Sequence, residues 1–338
     1  MIPGRGGAPE VVTMEAVVHE NVIPEVVKRG SVELRQDLLG RDYKGKNSKG
    51  IAKKTSALIQ KLQPTLTKFL DAGEQVLYIA RVQRHASGLI QYTMGWYIYY
   101  ASATVIVLTD RRLLHLRVTN SNQWDKGVRT CSWSELESAT VGGWALGRVL
   151  KLEFRNGTKY RYWRISRADA LNMKKILSQL LSTHQGTPYK AQSLVSLCPE
   201  CKRELAPAAS SCSGCGIGFK VKKTMYWLSL LPSAAYIYTR RWFLAFADFI
   251  TQSYAYVILA IAVYAFLGAT LGWKDATGKS MSTNDGLGLL FVGLVVFLLD
   301  VFITIHHNNY FIEDFIPTDQ RAHPEESAKR YAAGGTIG

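Results

Sequence analysis

The sequence predicts an α+β protein in three parts: a strand-rich basic domain closed by one helix, a small four-cysteine segment, and a helical membrane region. Three observations carry this. From Glu74 to Ile165 apolar residues recur with a period of two. Cys198-Pro-Glu-Cys201 and Cys212-Ser-Gly-Cys215 stand ten residues apart. Two long, nearly uncharged stretches follow, Trp242–Trp273 and Gly286–Ile305. A chain of 338 residues has room for two or three domains.

Charge is unevenly placed. Residues 51–250 carry 28 Lys/Arg against 11 Asp/Glu, so the whole net charge of +15 lies in the middle of the chain. The last 38 residues run the other way, with three basic and five acidic side chains. A basic block beside apolar spans points to an anionic partner, either acidic lipid headgroups or nucleic acid. Four of the five cysteines sit in the two knuckles and Cys131 stands alone, which argues for a reducing compartment. No secretory signal is visible, because the first apolar run, Val11–Val18, is short and interrupted by Glu15.

In chain order, residues 1–65 read as a helical region whose Gly/Pro-rich start, 1–9, is disordered. In Ile51–Leu62 the apolar Ile51, Leu58, Ile59 and Leu62 share one face, with Lys53, Lys54 and Lys61 elsewhere. Such a helix packs on the next domain or lies on a membrane. Gln75–Val82, Ala103–Thr109, Arg112–Thr119, Arg148–Arg155 and Lys159–Ile165 read as strands. Asn156–Gly157 between the last two is a hairpin signal of the type I′ kind. Ser166 then offers an N-cap with Asp169 in the first turn, and a helix to about Thr183 turns Leu171, Met173, Ile176, Leu177 and Leu180 inward. Residues 186–197, containing Gly186, Pro188 and several Ser, read as a linker.

The run Val105-Ile-Val-Leu-Thr-Asp-Arg-Arg-Leu-Leu-His115 resembles the "strand, Thr-Asp-Arg-Arg, strand" core of bacterial pleckstrin-homology-like domains. Leu70–Tyr78 resembles the opening of that fold and Trp133–Val141 its middle. The resemblance covers about residues 66–185 and implies a β-sandwich or barrel with a C-terminal helix. The aromatic-rich insert Ala86–Tyr100 is longer than a plain hairpin needs. Thr109–Asp110 is expected to cap a turn, and Arg111 and Arg112 are read as turn geometry and surface charge.

Cys198, Cys201, Cys212 and Cys215 at this spacing can close a tetrahedral site around one structural Zn²⁺. A redox pair or two disulfides are the alternatives; a redox Cys-x-x-Cys would not need its duplicate nearby. The segment 198–220 is similar to a short zinc ribbon, a resemblance confined to about twenty residues and specific for metal alone. Four cysteines leave no position open for catalysis.

Residues 221–306 form the membrane region, with spans at about 254–273 and 286–305, each near the roughly 20 residues that a crossing needs. Trp242–Gln252 is placed at or just inside the surface. Met225–Tyr238 is too short to cross and is broken by Pro232; flanked by Lys220, Lys222, Lys223 and Arg240, Arg241, it reads as re-entrant or interfacial. The run Leu230–Arg241 is similar to the Pro-Gly-x-Gly-x-x-Tyr-x-Gly-Arg pattern of a small two-helix membrane module, with Ser233, Ala235 and Thr239 where that module has glycines. The Lys274–Asp285 loop is neutral, so positive charge before Trp242 places both termini in the cytoplasm and the protein in the inner (cytoplasmic) membrane. The tail is 307–338. Asp300, inside the second span, is read as snorkelling toward His306 and His307, and Gly268-x-x-x-Gly272 permits close helix approach.

No Gly-x-Ser-x-Gly, Walker loop or His-Glu-x-x-His is present, and no carboxylate pair has a convincing setting, so an enzyme is not expected. His115 and Cys131 read as isolated core or surface residues. The expectation is a membrane-anchored scaffold or sensor meeting membrane lipids and a protein partner or a second copy of itself. Lys53, Lys54, Lys61, Arg161 and Arg164 are the candidate lipid- or partner-binding residues. The alternative is a membrane-tethered nucleic-acid-binding protein, since Lys159-Tyr-Arg-Tyr-Trp-Arg164 could stack on bases.

Overall fold

A computed structural model describes residues 26–29, 32–35, 44, 46, 48–144, 147–184, 186–274 and 278–318. The disordered start expected at 1–9 lies outside them, as does most of the tail. The strands are β1 (Val26–Arg29), β2 (Val32–Arg35), β3 (Gln75–Arg84), β4 (Ala103–Thr109), β5 (Arg112–Val118), β6 (Trp124–Ser132), β7 (Leu136–Trp144), β8 (Gly147–Phe154), β9 (Lys159–Ile165) and β10 (Val195–Ser196). The helices are α1 (Lys49–Phe69), α2 (Gly88–Met94), α3 (Ile98–Ala101), α4 (Arg167–Thr183), α5 (Lys222–Leu228), α6 (Ala234–Tyr238), α7 (Trp242–Thr270) and α8 (Thr283–Ile312). The main sheet runs β10-β6-β5-β4-β3-β9-β8-β7, antiparallel at each step, and β2 adds to the start of β3 in parallel.

The period-two pattern produces two cores, one on each face of β3–β6. Inward-facing Tyr78, Ala80, Val82, Ile106, Leu108, Leu113, Leu150, Leu152, Phe154 and Tyr162 close around Met173, Ile176 and Leu177 of α4. That helix starts as its sequence demands, since Ser166 Oγ accepts from the Asp169 N–H at 3.1 Å. On the opposite face, Leu58, Ile59, Leu62, Leu66 and Phe69 of α1 cover Val76, Val105, Val107, Leu114 and Leu116. The apolar stripe of α1 is therefore spent on the sheet, and β4, buried at every residue, is sandwiched between the two cores.

Several local details differ from the sequence reading. Val26–Arg29 and Val32–Arg35 pair as a hairpin where a helix was expected. Strands β6 and β7 escaped notice because charged or Gly residues break their alternation; Asp125 and Lys126 interrupt the first, Gly142 and Gly143 the second. At Asn156–Gly157 only Gly157 takes a positive φ, 79°, and the Phe154 N–H bonds to Thr158 O across a three-residue loop. This is a glycine-bulge hairpin rather than type I′. The segment read as a linker is pinned: Glu135 accepts the N–H groups of Lys190 and Gln192 at 2.6 and 2.7 Å, and β10 pairs with β6.

Helices α7 and α8 are long and apolar enough to cross a membrane. Trp242–Gln252 belongs to one continuous helix with the rest of α7, and α8 continues to Ile312. Their contact is made by small residues seven apart. A Cβ on Gly286 would lie 2.9 Å from Ala269 Cβ, and one on Gly293 2.8 Å from Ala262 Cβ. The approach expected of Gly268–Gly272 is not used between helices; Gly268 faces the Trp273 ring instead.

Replacing Gly293 by Leu should force the two helices apart and cost about 1–3 kcal/mol. Gly288→Leu, whose added Cβ meets nothing within 4 Å, should not destabilise. Thermal unfolding of the two variants in one detergent checks this; equal losses would deny the seam.

Candidate metal centre and basic junction

Each cysteine knuckle is shaped by its backbone. Lys202 N–H bonds to Cys198 O at 3.0 Å and Gly216 N–H to Cys212 O at 2.9 Å, so each first cysteine is followed four residues later by a donor that closes the turn. Both donors have positive φ, 63° and 73°. Only the second is glycine, where the conformation carries no Cβ penalty. The four Sγ atoms lie within 4.8 Å of one another, with Cys198–Cys215 at 3.5 Å and Cys201–Cys212 at 3.4 Å. Sulfurs about a tetrahedral ion at roughly 2.3 Å would stand about 3.8 Å apart, so the four fit a metal site. Burial raises the Cys198 thiol. At Cys212 burial is outweighed by the Cys215 and Gly214 N–H groups, which pull it down to about 7. A Cβ on Gly214 would come within 2.9 Å of Arg203 Nε and 3.2 Å of Cys201 Sγ.

The segment is wedged between sheet and anchor. Leu197 N–H bonds to Val128 O on β6, Lys220 N–H bonds to Ile316 O beyond α8, and Phe219 meets Phe315 edge-on at 5.4 Å.

Beside it lies a constellation that sequence reasoning missed. On β5 and β6 the inward alternation turns cationic toward one end: Leu113, His115, Arg117 on one strand and Cys131, Arg129 on the next. Arg84 closes β3 in the same way. These three arginines converge on Asp314, just past α8, with Arg84 at 2.9 Å, Arg129 at 3.1 Å and Arg117 at 3.2 Å. Arg84 also donates to Tyr310 O and lies 3.8 Å over the Tyr310 ring, while Arg129 donates to Glu313 O at 2.7 Å. Burial alone would raise the Asp314 carboxyl, but Arg84, Arg117 and Arg129 hold it down to about 2. Burial and the neighbouring Arg129 push His115 down to about 3, and its Nδ1 lies 2.9 Å from Tyr162 Oη. A signal was available, since charged residues at inward strand positions demand a partner.

The turn arginines differ from each other. Arg112 forks onto buried Glu74 at 2.7 and 3.0 Å, and Thr109 donates to the same carboxylate at 2.7 Å, whereas Arg111 stays at the surface. Arg112 is thus a structural clamp. Thr109 Oγ1 caps the turn as expected, accepting the Arg111 and Arg112 N–H groups at 3.2 and 2.9 Å, whereas Asp110 accepts the Gln75 N–H of β3 at 2.9 Å.

Four of the five candidate surface residues line three separate hollows. Lys54 and Lys61 line a cavity of about 550 Å³ with Arg81, and Lys53 is exposed nearby on α1. Arg164 lines a second hollow of about 710 Å³, also reached by Arg81, and covers the Tyr99 ring at 4.4 Å. Arg161 belongs to a third, described below. The aromatics of β9 are occupied: Tyr162 is fully buried, Tyr160 packs on Phe154 and Trp163 on His85.

In the helical region, the α5–α6 hairpin leans on α7 and α8. Asp248 accepts from the Ser233 N–H at 2.9 Å and from Thr304 Oγ1 at 2.7 Å, which holds Ser233 at φ 60° in the turn after Pro232. Gln252 donates to Ser229 O at 2.9 Å. His307 sits between Tyr236 of the hairpin at 2.6 Å and Thr93 of the α2 insert at 2.5 Å. Asp300 is half-buried, and its Oδ2 has no hydrogen-bond partner among the described residues. No protein-family model matches the chain, and no curated protein matches it either.

Asp314→Asn should destabilise the protein by about 3–5 kcal/mol, because three buried guanidiniums lose their counter-charge. The wild type should also show an acid step that the variant lacks. The folded-state value of about 2 lies below the ordinary aspartate value of about 3.9. The contribution, about 2.5 kcal/mol, is therefore complete above about pH 4 and lost as pH falls through 2. Chemical denaturation across this range measures both.

Proposed function

We propose that the chain is a non-enzymatic membrane-anchored scaffold or sensor, whose cytoplasmic pleckstrin-homology-like domain and zinc ribbon bind acidic lipid headgroups or a partner protein. The observation that carries this reading is the Asp314 cluster. It fixes a basic sheet domain directly on the end of a helix apolar enough to cross a bilayer, so the domain's positive surplus is held where headgroups lie. Each lysine or arginine there can gain about 1 kcal/mol from an anionic surface.

Other features support the parts of this reading. The order β6-β5-β4-β3-β9-β8-β7 with α4 over one end agrees with a pleckstrin-homology-like barrel. The α2 insert exposes Leu89, Tyr92 and Trp96 while burying Ile90, Met94 and Ile98 against Tyr236, Leu244 and Phe311. Tyr97 stacks on Phe243 at 5.2 Å, so this aromatic cluster continues the outward apolar surface of α7 into an interfacial belt. Four thiolates and the tight knuckles suit structural Zn²⁺, with no ligand position left for substrate. The basic sheet side and the neutral Lys274–Asp285 stretch support an inner-membrane protein with both termini cytoplasmic.

Three measurements test the reading. Metal analysis should give one zinc per chain, lost in the Cys201→Ser/Cys215→Ser variant. A cysteine introduced at Lys279 should be labelled from outside the cell. Reconstituted protein should melt higher in anionic than in zwitterionic nanodiscs, by a margin that shrinks as salt rises and in a Lys53/Lys54/Lys61→Gln variant. Indifference to anionic lipid at low salt would end the lipid reading.

A further inference from the structure

Between the sheet domain and the end of α8 lies a cavity of about 340 Å³, at the small end of the range for ligand sites. Its walls hold Arg84, Arg129, Lys159 and Arg161 against a single lining carboxylate, Glu313, although Lys159 is also paired with Glu153 from outside the cavity. Asp314 does not line it and is already shared among three arginines. Arg161 is exposed and makes no ion pair among the described residues. Arg129 is more than nine-tenths buried; its Nη2 is engaged by Glu313 O and Asp314, but its buried Nε has no hydrogen-bond partner among the described residues. A buried guanidinium N–H left unpaired is costly and calls for an acceptor. The cavity therefore combines more cationic than anionic walls with room for a small anion, and one arginine of its wall keeps an unanswered buried donor.

We propose that this cavity is a phosphate-binding site that receives the phosphate of an anionic lipid headgroup. Guanidinium forks match the paired oxygens of a phosphate, which is why arginine rather than lysine should dominate its inner wall. The source follows from position. Glu313 stands eight residues beyond Ile305, about 12 Å at helical rise, just past the roughly 5–8 Å headgroup layer. The adjoining cavity, about 990 Å³, shares Arg129, Tyr160 and Glu313 and reaches Lys220, Lys222 and Lys223 at the start of the hairpin. Cations thus line the way from the bilayer side to the inner arginines. His85 on the same wall is held low by burial and then by Arg161, a field that a bound anion would relieve. The inference rests on the anionic-lipid reading and adds to it one defined, saturable site.

The test uses the full chain in nanodiscs. In one arm the discs contain phosphatidic acid among phosphatidylcholine, and native mass spectrometry counts the lipids retained. In the other, phosphatidylcholine discs are titrated with inorganic phosphate and glycerol phosphate by calorimetry. One retained phosphatidic acid per chain is expected, weakened about ten-fold by Arg161→Gln with Lys159→Gln and tightened by Glu313→Gln, which removes the competing carboxylate. Lys174→Gln with Lys175→Gln, exposed on α4, should leave retention unchanged. All variants keep the Asp314 cluster, and their melting temperatures confirm folding. Calorimetric binding with the same mutational pattern, but no retained lipid, would uphold the phosphate site and overturn its lipid source. No binding in either arm, or binding indifferent to Arg161, Lys159 and Glu313, would overturn the site. If anionic discs still stabilised the protein in that case, the broader lipid reading would stand without it.

Discussion

The Asp314 carboxylate is the constraint on which the arrangement depends. Strand geometry forces Arg84, Arg117 and Arg129 toward the inside of the sheet at one end, and none is more than a tenth exposed. Removing even one guanidinium from water costs several kcal/mol unless it is paired. The sheet cannot meet that demand alone, because its nearest acid, Asp125, bonds Arg117 from an exposed position. The demand is met from far along the chain, by Asp314 and the carbonyls of Tyr310 and Glu313. The sheet domain and the anchor are therefore one electrostatic unit.

The cysteine segment makes the same turn harder to move. It is tied to β6 through Leu197 and β10, and to the residues after Asp314 through Ile316, Pro317 and the Phe219–Phe315 contact. A metal at the four sulfurs would hold together the two knuckles that present these ties. The four-cysteine cluster thus sits where it braces the turn that carries Asp314.

What could be read in the sequence was what is local. The Ser166 cap, the inward face of α4 apart from Leu171, which is exposed, the Thr109–Asp110 turn, most strands of the sheet and the cysteine spacing all follow from residues within a few positions of one another. The junction was hidden because its partners are about 200 residues apart, with Arg84 and Asp314 separated by 230 positions. No periodicity links such residues. The α7–α8 seam was nearer to legible. Ala255, Ala262 and Ala269 on one helix and Gly286 and Gly293 on the other keep a seven-residue interval, but a search for glycines four apart finds Gly268 and Gly272 instead. Asp248 was noticed only as a charge in an apolar stretch, because its work, bonding the backbone of Ser233, depends on a hairpin folding back beside it.

The domain is attached at two places, and this bears on what it can do. One is the end of the sheet on Asp314. The other is the α2 insert, whose Thr93 meets His307 while Ile90, Met94 and Ile98 pack on α6, α7 and α8 residues. A single contact would leave the sheet free to pivot about the helix end; two fix its rotation as well as its height. The small basic cavity lies at this junction, bounded by Arg84 and Arg129 on the sheet and by Tyr310 and Glu313 on α8 and the residue after it. Its shape therefore survives only while both attachments hold. A change that loosened either one would be felt at the cavity, and an anion bridging its walls would in turn favour the docked arrangement, since binding and docking share the same arginines.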